Sequence, residues 1–132
     1  MVFLRIYSRA ISWLLFLLLC QACHSPKQFD HFDAHSWRSD PLGCKGNRQR
    51  LAAEFEKIRR ELRGLSQTEI TELLGKPDIQ GLYTRHQKFF VYYLEKGPQC
   101  QHSQAESTAR TIAVRFGALG YVTEVSYQQG RP

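Results

Sequence analysis

The chain has 132 residues, of which 42% are hydrophobic, with 18 Lys+Arg against 12 Asp+Glu and a net charge of +6. A chain of this length builds one small core and leaves little room for a large cleft beside it. The charge excess is too mild for a dedicated nucleic-acid binder, which concentrates its cations in one patch. Contact with acidic surfaces such as anionic lipid suits it better.

The first zone reads as an export signal. Arg5 and Arg9 carry positive charge with no acid to offset them, and an apolar run follows from Ala10 to Leu19. That run is shorter than the ~20 residues a helix needs to cross a bilayer. The sequence Cys20-Gln21-Ala22-Cys23 then places a small residue directly before a cysteine. Charged, apolar and small-residue zones in this order form a secretory signal. The segment resembles a bacterial lipoprotein signal. The resemblance implies cleavage after residue 22 and a fatty-acylated (palmitate-type) Cys23 that anchors the chain to the membrane. An ordinary cleaved signal or an uncleaved anchor are the alternatives. The C-x-x-C formed by Cys20 and Cys23 straddles the cleavage point and would be destroyed by processing. Two cysteines remain, Cys44 and Cys100. In an oxidising compartment an even remainder suggests one disulfide, with two separate buried thiols as the alternative.

Residues 23–43 are polar and irregular and read as a tether. Phe29, Phe32 and Trp37 are out of place in a free linker, so part of the stretch is expected to pack back, with a helical turn from Asp30. The domain proper is expected over 44–132. Arg48 to Arg63 is the clearest helix, because Leu51, Phe55, Ile58, Leu62 and Leu65 recur at intervals of four and three. Asn47 is its expected N-cap. Arg59, Arg60 and Arg63 gather at its C-terminal end, where the helix dipole favours cations. Gly64 ends it. Ser66 and Glu69 form a capping box for a second helix over 67–74, closed by Gly75 in a left-handed cap and by Pro77.

Strands follow. Gly81 to Arg85 is a short, irregular candidate, and Lys88 to Leu94 is dense in aromatic and β-branched residues. Cys100 to Ala109 lacks periodicity and reads as a loop. Thr111 to Phe116 and Tyr121 to Tyr127 alternate and form a hairpin around Gly117 and Gly120. The fold class is therefore α+β: two helices packed on one face of a small three-stranded, or four-stranded, antiparallel sheet. The other face is expected to stay available, and an edge strand adds a natural binding surface.

The run Leu73-Leu74-Gly75-Lys76-Pro77-Asp78 follows Gly64-Leu65-Ser66 and a short helix. A tyrosine-rich strand comes next, then Val114-Arg115-Phe116, a glycine turn and Val122 to Val125. This pattern is similar to the SmpA/OmlA (BamE-like) domain of outer-membrane lipoproteins, over roughly 64–127. The resemblance implies a binding or scaffolding role without catalysis, in outer-membrane protein assembly or envelope maintenance, facing the periplasm. Inner-membrane or secreted locations are alternatives. Related modules occur in secreted β-lactamase-inhibitor proteins, so an inhibitor-like or small-ligand-binding module is the second implication.

Chemistry-bearing residues do not converge. His31 and His35 stand four apart, but no nearby Cys or Glu completes a metal site, and surface histidines are the simpler reading. Cys100 and His102 sit too close in sequence to fix a nucleophile and its base. Gly75-Lys76-Pro77 ends a helix where phosphate loops begin one. No cofactor or metal is expected. The residues singled out for partner contact are Tyr92, Tyr93, Tyr127 and Arg60, from the aromatic strands and the arginine cluster.

Overall fold

The computed structural model describes residues 27–84 and 87–132. The leader and Cys23 lie outside them. Among the described residues, four short helices precede four strands: α1 (Ala34–Arg38), α2 (Asn47–Arg50), α3 (Ala52–Ile58), α4 (Gln67–Leu74), β1 (Ile79–Leu82), β2 (Lys88–Tyr93), β3 (Arg110–Phe116) and β4 (Val122–Gln129). The strands lie in space in their chain order, each antiparallel to the next. The fold is α+β, and the sheet has four strands. The first of them begins at Ile79, two residues before the expected start.

Alternation fixes the faces. Phe90, Tyr92, Ile112, Val114, Phe116 and Val125 point to the helical side and share one core with the apolar stripe from Leu51 to Leu65 and with Ile70 and Leu74. The long helix expected over 48–63 is broken. Leu51 (φ −83°, ψ 0°) separates α2 from α3, and Arg59–Leu62 tightens into a 3-10 turn. The stripe still faces inward: Leu51, Phe55, Ile58 and Leu62 stay buried across both breaks. Asn47 is not the cap. Gly46 occupies that place, and a distant carboxylate serves instead: Asp40 accepts the N–H of Arg48 at 3.0 Å and that of Lys45 at 2.6 Å. The second helix has the expected capping box, with Ser66 and Glu69 bonding reciprocally. Gly75 departs from the left-handed cap: its φ of 82° is combined with an extended ψ of −175°. That turns the chain directly toward β1.

The segment read as a tether contributes to the core from Phe32 onward. Trp37 is fully buried and stacks on Phe55 at 5.1 Å, with Phe32 edge-on to Phe55 and tilted against Trp37. The local turn is capped by Asp33, whose carboxylate accepts from Ser36, rather than beginning at Asp30. Cys44 and Cys100 are disulfide-bonded, which ties the chain before α2 to the loop after β2.

Candidate functional site at the β4 edge

The tyrosines divide by depth. Tyr92 and Tyr93 are both fully buried, so neither can meet a partner on the folded surface, contrary to the sequence expectation. Alternation puts them on opposite faces, and the reason both are inside is that both faces are covered at this end of β2. On the helical side the Tyr92 hydroxyl donates to Gly75 O at 3.0 Å, and burial pushes its phenol well above the ordinary range. On the other side Val91, Tyr93, Thr111 and Ala113 are 0–1% exposed. The loop beyond β2 and the chain end pack there. Gln99 bonds to Leu42 and to Ser107, and Thr111 donates to Gly130 O. At this end the second sheet face is therefore covered, while toward Arg115 and Glu124 it stays accessible.

Beside these tyrosines lies a buried ion pair that the sequence reading missed. The Arg48 guanidinium meets the Asp78 carboxylate at 2.5 Å, with side chains only 2% and 3% exposed. Asp78 also accepts the N–H groups of Leu42 (3.0 Å) and Tyr93 (2.8 Å), while Arg48 donates to the carbonyls of Trp37 and Tyr93. The guanidinium sits 5.4 Å from the Trp37 ring and 5.5 Å from that of Tyr92. Strand β1 starts opposite Val91, so beyond it these two side chains bond the Tyr93 backbone where a neighbouring strand would. One signal was available. Arg48 falls on the spacing of the stripe, three residues before Leu51 and seven before Phe55.

Tyr127 and the arginine cluster lie elsewhere, on the exposed border between helices and sheet. Tyr127 pairs with Ile112 and so points to the helical side of β4, an edge strand, where it is 39% exposed. Arg59 reaches across: its guanidinium stands 5.8 Å from the Tyr127 ring, donates to Val125 O at 2.9 Å and pairs with Glu56 at 2.8 Å. Hydrogen bonding to Arg59, and secondly to Tyr127, holds the Glu56 carboxyl below its ordinary value. Partial burial, supported by Glu56, raises the Tyr127 phenol to about 12. Arg59, Arg60, Arg63 and Val125 line a groove of about 440 Å³. Arg60 and Arg63 are exposed, and no ion pair among the described residues engages either of them. The groove thus has one arginine fixed by a carboxylate and two exposed ones without a salt bridge, although Arg60 also feels the charge of Glu56. Arg60 and Tyr127, chosen from sequence, border the same surface.

No gathering of three or more His, Cys, Asp or Glu side chains that could hold a metal exists among the described residues. No described helix is long and apolar enough to cross a membrane. Cys23, the expected lipidation residue, falls outside the described residues. No protein-family model, curated protein or solved structure matches the chain.

Proposed function

We propose that the protein is a non-catalytic binding and scaffolding module of the bacterial cell envelope, held to the outer membrane by lipid on Cys23 and facing the periplasm. Its place would be in outer-membrane protein assembly or envelope maintenance, as the similarity to SmpA/OmlA domains suggests. The observation that carries the binding role is the β4 border: two exposed arginines without a salt bridge among the described residues and a half-exposed tyrosine beside an edge strand. Arg and Tyr are residues that interfaces favour. The disulfide accords with an oxidising compartment, and the zones of the leader supply the address.

Two measurements test the reading. Intact mass of the membrane-extracted protein should show the chain beginning at Cys23 and carrying acyl groups; an unprocessed Met1 on cytosolic protein would end the envelope assignment. Purification in gentle detergent should recover a partner with the parent chain and lose it with Arg60→Glu or Tyr127→Ala. Equal recovery with all three would remove this surface from the proposal.

A further inference from the structure

The backbone of β4 defines what can bind beside the arginines. Along an antiparallel strand, alternate residues direct both N–H and C=O to the same side. Gly130 N donates to Ala109 O, so the even-numbered positions from Glu124 onward face β3, and Val125, Tyr127 and Gln129 face outward. The outward edge is covered at its beginning only. Val122, beyond a register shift in the strand, exchanges bonds with Gly64 and Leu65, and Arg59 caps Val125 O. Among the described residues, no bond outside the ladders engages the Tyr127 or Gln129 backbone. A short stretch of unpaired edge therefore lies next to the cationic groove.

We infer that this edge takes up an extended acidic segment of a partner protein as a fifth, short strand. This rests on the binding role proposed above and names the partner chemistry at the same surface. Main-chain bonds to Tyr127 and Gln129 supply the docking, as in other strand additions, and side chains supply the choice. Neighbours on the helical side would meet Arg60, Arg63 and the Tyr127 ring. Neighbours on the opposite side would meet Glu124, Ser126 and Gln128, the even-numbered residues of β4. Acidic side chains suit the first side, where Arg60 and Arg63 have no salt bridge among the described residues. On the second, Glu124 is paired with Arg115 at 3.3 Å, and Ser126 and Gln128 are uncharged, which suits neutral neighbours. The fitting segment therefore alternates, acidic at every other position and neutral between. The two faces ask for different residues, so composition alone is not enough.

The test uses the full chain purified in detergent and synthetic peptides of alternating Glu and Val, with alternating Lys and Val as the counterpart. Amide hydrogen exchange is read at Tyr127 and Gln129. The Glu-Val peptide should slow exchange at both positions, and the Lys-Val peptide should leave it unchanged. The double variant Arg60→Glu, Arg63→Glu should weaken Glu-Val binding by about tenfold or more, with core amides such as Ile112 and Val114 unaffected. Absence of protection at saturating peptide overturns the inference. So does equal protection by inorganic phosphate or by phosphatidylglycerol vesicles, which would make the groove a simple anion or lipid site. If a partner co-purifies through Arg60 while these amides stay unprotected, the binding role stands and strand addition is excluded.

Discussion

Replacing Asp78 with Ala should destabilise the fold severely. The carboxylate compensates a guanidinium that is 2% exposed and accepts the N–H groups of Leu42 and Tyr93. Removing one partner of a buried ion pair typically costs 3–5 kcal/mol, because the remaining charge has lost its compensation inside the protein. Two orphaned N–H groups add to this, but their penalties overlap where water enters the space left behind. A net loss of about 4 kcal/mol is expected, a large part of the 5–15 kcal/mol by which domains are stable. Urea unfolding would show it as a lowered midpoint with an unchanged slope. Arg48→Met leaves Asp78 with its two N–H donors and should cost somewhat less, about 3 kcal/mol. The double variant Arg48→Met, Asp78→Ala should be more stable than the sum of the singles predicts, by at least about 1 kcal/mol. A loss below about 1 kcal/mol for Asp78→Ala would show that the pair is not buried as described.

Three other outcomes follow from the same geometry. Reducing the disulfide opens a loop with a sequence separation of 56 and, on the chain-entropy model, should destabilise by about 4 kcal/mol; a melting temperature unchanged by reductant would contradict this. Gly43→Ala should destabilise by about 2 kcal/mol or more, roughly 1–2 kcal/mol of it from the left-handed backbone and the rest from crowding against the β2 backbone. Its φ is +67° and an added Cβ would stand 2.9 Å from Tyr93 O, with no flexible side chain to yield; a midpoint within error of the parent's would refute that. The Tyr127 phenol is raised to about 12 from 10.0, so its stabilising effect is complete below pH 10 and disappears as pH rises from 10 to 12. Tyr127→Phe should therefore show a shallower loss of stability across that interval, and parallel curves would remove the effect.

What was legible in the sequence was whatever depends on neighbours. The Ser66–Glu69 cap, the alternation of β3 and the stripe from Leu51 to Leu65 are local patterns, and each has its counterpart in the structure. The burial of Tyr93 was not legible. Period-two alternation says that Tyr92 and Tyr93 take opposite faces, but it cannot say that the loop after β2 closes over one of them. The helix cap failed for a similar reason. Asn47 has the right chemistry for the position, yet Asp40, seven residues earlier, supplies the oxygen once Gly46 turns the chain.

Arg48 is the instructive case for the candidate site. Arginines at positions 48, 50, 59, 60 and 63 share one helical segment, and composition treats them alike. Position on the stripe separates them. Arg48 shares the phase of Leu51 and Phe55, and a cation in that phase must find an anion inside or leave the core. Asp78 meets that requirement, so Arg48 is committed to the fold and unavailable to a ligand. Arg50, Arg60 and Arg63 lie off the stripe and carry no such obligation; Arg50 bonds only locally, to Asn47, away from the groove. Arg59 is intermediate, half-exposed and bound to both Glu56 and the edge of β4. The phase of each arginine relative to the apolar stripe thus sorts structural cations from binding ones. The Asp78 and Arg60 experiments test that division from opposite sides: loss of stability in the first, loss of binding with stability intact in the second.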